Sequence, residues 1–136
     1  MKKRIGFVSN SSSSSFLIYG AYIEEEMKTD LLKKYGKEYI EKYKQYYENV
    51  NLDVEDDVVD AIYNDIYEFM EYVADKIDVE YHSNYSDEES LLYFGLSWSE
   101  VNDNETGLEF KTRIENKIKS VLPMTEFGTF EESWYG

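Results

Sequence analysis

The sequence predicts a single α+β domain over residues 1–136, with a three- to four-stranded antiparallel or mixed sheet packed by about four helices. Two observations set the class. Short runs rich in β-branched and aromatic residues occur at 15–23 and 91–98, whereas the stretch between them carries apolar residues at a period near 3.6. A third observation sets the scale. The chain has 136 residues, 42% of them hydrophobic and 17% aromatic, which suffices for one core and exceeds what a disordered chain carries.

Taken in order, residues 15–23 (SFLIYGAYI) read as a strand long enough to be central. Acids open 24–36, lysines follow and Gly36 stands at the end, the start and stop signals of a helix. A second helix over 37–50 brings Tyr39, Tyr43, Tyr46 or Tyr47 and Val50 to one face. The clearest element is a long acidic amphipathic helix over 53–77, about 37 Å long at the usual rise. Asp53 would cap it, no Gly or Pro interrupts it, and Val58, Val59, Ile62, Ile66, Phe69, Met70, Val73 and Ile77 share one side.

Residues 79–86 alternate weakly and 91–98 are continuously apolar, so both read as strands, joined by the acidic turn SDEES. After the loop NDNETG, a last helix carries Phe110, Ile114, Ile118 and Val121 or Leu122 on one face and stops at Pro123, the only proline. The tail adds an edge strand. The resulting order is β-α-α-α-β-β-α-β, with no linker and no internal repeat.

Composition bounds the function. Cysteine is absent, which excludes disulfides, thiolate metal sites and cysteine nucleophiles. No apolar run approaches the roughly 18 residues that span a bilayer, and IGFV after MKKR is too short for the core of a signal peptide. The expectation is a soluble protein of a reducing, intracellular compartment. The net charge is −15 and unevenly placed. Residues 1–50 carry +2, residues 53–80 carry −10 with Lys76 their only base, and residues 81–136 carry −7. Direct contact with nucleic acid or an anionic membrane is disfavoured, because phosphates need a basic counter-surface. A basic partner is the natural inference, with solubility alone as the plainer alternative.

No enzyme motif stands out. His82 is the one histidine and reads as a structural or surface residue, since a triad or metal centre needs further groups. The serine run lacks a G-x-S-x-G elbow, and neither a P-loop nor a G-x-G-x-x-G is present. Aligning Gly107 with position 6 of an EF-hand loop puts Arg113 where a bidentate glutamate is required, so the calcium reading fails. No cofactor and no metal are expected.

The acidic helix is more specific. Asp53, Asp57, Asp60, Asn64, Glu68, Glu71 and Asp75 step by 4, 3, 4, 4, 3 and 4, opposite the apolar stripe and without a lysine to offset them. One helical turn, about 5.4 Å, is of the same order as the spacing of phosphates along a nucleic-acid strand. Asp56, Asp65, Asp78, Glu80, Asp87, Glu88 and Glu89 would widen the patch. Tyr63, Tyr67 and Tyr72 flank it as candidate interface aromatics, tyrosine being enriched where interfaces bind most strongly.

At its start, MKKRIGFVSNSSSSSF, the chain resembles a group of small proteins of tailed bacteriophages that begin with a basic residue, Gly-Phe-Val-Ser-Asn, a serine run and Phe. The likeness covers residues 4–16, about a tenth of the chain, and FGLSWSEVNDNETGLEFKTRIENKI also looks like a segment of some of these proteins. The resemblance implies a phage or prophage source and action in a bacterial host cytoplasm, and it carries no activity. Asn10, Ser11, Ser12, Ser13, Ser14 and Ser15 read as an ordered polar turn into the first strand, hydroxyls favouring turns over ladders.

Together these point to a phage-encoded acidic inhibitor of the nucleic-acid-mimic type, not an enzyme. Its partner would be a host protein with a basic nucleic-acid-binding surface, such as a CRISPR or restriction component. A phage structural or assembly accessory protein is the first alternative, a carboxylate-based and metal-assisted enzyme the second. A homo-oligomer stays open.

Overall fold

The computed structural model describes residues 15–86 and 89–133. The chain runs β1 (Ser15–Tyr22), α1 (Glu25–Lys42), α2 (Glu55–Tyr63), α3 (Ile66–Lys76), β2 (Glu80–Ser86), β3 (Glu89–Ser97), α4 (Gly107–Lys119) and β4 (Gly128–Ser133). Every neighbouring pair is antiparallel, in the order β2-β3-β1-β4, so β1 is central as the sequence implied. This is the split β-α-β topology of ferredoxin-like folds, with three helices filling the first crossover.

The number and order of strands and helices match the sequence reading, but the first crossover is divided into its three helices at different places. Gly36 does not stop a helix: α1 continues through it to Lys42 and takes in the first part of the helix expected over 37–50, of which the rest forms only a 3-10 turn, Lys44–Tyr46. The glycine serves a helix crossing instead. A Cβ there would stand 2.9 Å from Val58 Cγ1 and 3.1 Å from Ile62 Cδ1, so its absence lets α2 settle on α1.

The single helix expected over 53–77 is two helices, broken at Asn64 and Asp65. Asp65 N–H donates to the Ile62 carbonyl at 2.7 Å, three residues back, and the Tyr47 hydroxyl donates to Asp65 Oδ2 at 2.6 Å. That bond from outside the helix pins the break. Asp53 is not the cap either: Val54 occupies that position and supplies no side-chain bond, leaving Glu55, Asp56 and Asp57 to face the free N–H groups of the first turn.

One sheet face packs against the helices. Tyr19, Ala21 and Ile23, Leu92, Phe94 and Leu96, and Val79 and Tyr81 join Leu31, Leu32, Ile62, Phe69, Met70, Phe110 and Ile114 in a single core. The other face carries Phe16, Ile18, Tyr22, His82, Tyr93 and Phe130, as strand alternation requires. Here the sheet curls. Tyr93 is registered with Tyr22 and His82, six residues along β1 from Phe16, a span of roughly 20 Å in extended chain. Yet the Phe16 ring lies 5.5 Å from Tyr93 and 4.8 Å from His82, and Phe130 lies 5.0 Å from Tyr93. The curl passes through Gly20, registered with Gly95 on one side and Gly128 on the other. A Cβ on Gly20 would meet the Phe94 carbonyl oxygen at 1.9 Å, which only glycine permits.

At its far end the domain is closed by the last crossover. Thr106 and Glu109 form a capping box that starts α4, and Arg113 reaches back to grip Glu105 through Nε and Nη2, both at 2.8 Å. This fork occupies the NDNETG loop, and it holds the Glu105 carboxyl down at about 2. The helix ends at Lys119, before Pro123.

Candidate functional site

Because Val58 and Ile62 are drawn into the crossing at Gly36, the opposite side of α2 is committed to solvent. Asp53, Asp56, Asp57 and Asp60 are all exposed there, and Glu55 beside them is exposed as well. None of these five acids forms an ion pair among the described residues. On α3 the row changes character. Glu68 is exposed, but Glu71 and Asp75 are half-buried, and Asp65 is half-buried at the break, where it accepts from Tyr47. The acids expected to form the surface, Asp53, Asp56, Asp57, Asp60, Asp65, Glu68, Glu71 and Asp75, therefore do not form one straight exposed ridge. The exposed part centres on α2, with Glu68 beyond the break.

The described cations lie elsewhere, and many are engaged. Lys28 pairs with Glu25, Lys76 with Glu38, Arg113 with Glu105 and Lys117 with Asp78, each at 2.7 or 2.8 Å. Others lie over aromatic rings: Lys42 over Tyr43 and Tyr72, Lys111 over Tyr19 and Trp98, Lys119 over Phe127. Positive charge is thus gathered on α1, the end of α3 and α4, and α2 contains no base.

The tyrosines divide by role. Tyr72 is half-buried, its ring against Tyr39 and Phe69 and its hydroxyl donating to Glu38 Oε2 at 2.5 Å. Burial and that bond push its phenol up. It ties α3 to α1. Tyr63 and Tyr67 are each 43% exposed, on either side of the helix break. They line a cleft of about 250 Å³ with Tyr22, Ile66, Leu92, Glu25 and Lys28. Tyr63 donates to Glu25 Oε2 at 2.5 Å, while Lys28 holds Oε1 at 2.7 Å, and both contacts keep the Glu25 carboxyl below its ordinary range.

The sequence reading missed Glu55, Tyr22, Glu25 and Lys28. Glu55 was legible, as an acid in the first turn of the most acidic stretch. The other three reach the site only through the fold, which sets the start of α1 against the break between α2 and α3.

Of the remaining candidates, Asn10 and Ser11 to Ser14 lie outside the described residues, and Ser15 enters as the first residue of β1. Asp87 and Glu88 lie outside them too, and Asp78 is paired with Lys117. His82 stands half-buried on β2, its Nε2 2.9 Å from Glu80 Oε1. Among the described residues no three His, Asp or Glu side chains converge as metal ligands, and no helix is long and apolar enough to cross a membrane. The chain matches no protein-family model, no curated protein and no solved structure.

Proposed function

We propose that this chain is an acidic inhibitor that covers a basic, nucleic-acid-binding surface on another protein through the exposed side of α2, continued by Glu68. Segregation of charge carries the reading: five exposed acids within and just before α2, with no base on that helix. Like charges a turn apart oppose helix formation by a few tenths of a kcal/mol per pair. Acids in the first turn recover part of that through the helix dipole, but Asp60 lies beyond its reach. The likeness of residues 4–16 to tailed-phage proteins favours a host defence or nucleic-acid-handling protein as the target, met in the bacterial cytoplasm.

The test is capture from bacterial extract on the immobilised chain, at low and high salt, with and without excess duplex DNA. The expected result is retention of a basic nucleic-acid-binding protein that elutes with salt and with DNA. A variant carrying Asp56→Asn, Asp57→Asn and Asp60→Asn should lose it. Equal retention by that variant overturns the reading.

A further inference from the structure

We propose that the cleft at the α2–α3 break receives an arginine side chain of the basic partner and anchors the contact made by the acidic side of α2. This rests on the reading above and names the group the partner must present.

The size of the cleft comes first. At about 250 Å³ it falls below the roughly 300–1,000 Å³ of small-molecule sites and suits one side chain. It is lined by Tyr22, Tyr63 and Tyr67, by Ile66 and Leu92, and by the Glu25–Lys28 pair. Tyrosine rings attract cations on their faces, and the flat guanidinium stacks on them better than a compact ammonium.

The mouth supplies the charge. Glu25 is 66% exposed there. Each of its oxygens accepts one bond, Oε1 from Lys28 and Oε2 from Tyr63, and a carboxylate has about four acceptor positions. Two positions therefore remain for a two-pronged partner. Asp60 and Glu68, both exposed close by in sequence on the flanking helices, make the approach favourable to a cation and adverse to an anion.

The same chemistry already operates within the chain, where α3 meets α1. Tyr72 donates to Glu38 Oε2 at 2.5 Å, as Tyr63 does to Glu25. There Lys76 pairs with Glu38 at 2.8 Å and lies 5.5 Å over Tyr35 and 5.9 Å over Tyr72. A Tyr–Glu pair walled by further tyrosine is thus a cation seat in this fold. The cleft repeats the arrangement, with Tyr63 and Glu25 as the pair, Lys28 in the place of Lys76 and Tyr22 and Tyr67 beside them. An arginine would share Glu25 with Lys28 through the acceptor positions that Lys28 and Tyr63 leave.

The experiment titrates the full chain with octa-arginine and, separately, octa-lysine, following tyrosine fluorescence at two salt concentrations. Wild type should bind octa-arginine at least about fivefold tighter than octa-lysine. Tyr63→Leu with Tyr67→Leu should erase that preference. The Asp56, Asp57 and Asp60 to Asn variant should weaken both peptides alike and keep the preference. Glu25→Gln, which leaves the walls intact, should narrow it and serves if the tyrosine variant does not fold. Absence of an arginine preference in wild type, or its persistence in the tyrosine variant or undiminished in Glu25→Gln, overturns the cleft proposal and leaves the α2 reading standing. Unchanged affinity of the aspartate variant for both peptides overturns the α2 reading itself.

Discussion

Replacing Gly20 by alanine sets an intrinsic preference against a close approach of two strands. By conformational entropy alone the change should stabilise a strand, by roughly 0.5–1 kcal/mol. The structure demands the opposite. The new Cβ would stand 1.9 Å from the Phe94 carbonyl oxygen, 2.6 Å from Gly95 Cα and 2.8 Å from the Phe94 carbonyl carbon, all backbone atoms. To restore an ordinary contact, β1 and β3 must part by more than about 1 Å at the centre of the sheet. That disrupts about two ladder bonds whose groups are buried, at roughly 1–3 kcal/mol each. After the entropic gain the net loss is about 3 kcal/mol. Total stability for a chain of this length is on the order of 10 kcal/mol, so the variant folds but unfolds earlier. With a urea slope of about 2 kcal/mol per molar, the midpoint by far-UV circular dichroism should fall by about 1.5 M at unchanged slope. Gly107→Ala is the matched control, because no atom lies within 4 Å of a Cβ there, and its midpoint should hold or rise slightly. If Gly20→Ala holds its midpoint as well, the strands do not approach as described and the curl over Phe16, Tyr93 and Phe130 is wrong.

Two further predictions follow from named contacts. Gly36→Leu should cost about 2–3 kcal/mol, because Val58 and Ile62 lie where the side chain must go; a helix-propensity gain in the urea midpoint would refute the crossing. The Glu105 carboxyl sits below its ordinary 4.5 when folded, so its pairing with Arg113 adds stability above that value and loses it as pH falls toward about 2. Urea midpoints of wild type and Glu105→Gln should therefore differ by a constant amount above about pH 5 and converge between about pH 4.5 and 2; a gap that does not narrow contradicts the fork.

What the sequence shows and hides follows from the range of the forces. Strands and helix faces are local, so the strands, including the central β1, were legible from runs of β-branched and aromatic residues and the helix faces from periodicity. Gly36 was misread because a glycine ending a helix and a glycine admitting a neighbouring helix look alike until Val58 and Ile62 are placed beside it. The break at Asp65 was invisible because Ile62 and Ile66 are four apart and keep the stripe in phase, while the bond that pins it comes from Tyr47. The acidic side of α2 was legible because it needs only one helix. The cleft was not, since Tyr22 and Glu25 come from an earlier part of the chain. The curl was not legible either: Phe16, Ile18, Gly20 and Tyr22 read simply as the second face of a buried strand.

The central claim, that the exposed side of α2 takes the place of nucleic acid on a basic protein, is tested most directly by competition. The captured partner, loaded with its own labelled nucleic acid, is titrated with the chain while fluorescence anisotropy reports release. The account predicts full displacement, mutual exclusion without a ternary complex, and loss of displacement when Asp56, Asp57 and Asp60 become asparagine. A stable ternary complex, or displacement by the neutralised variant equal to wild type, would contradict it.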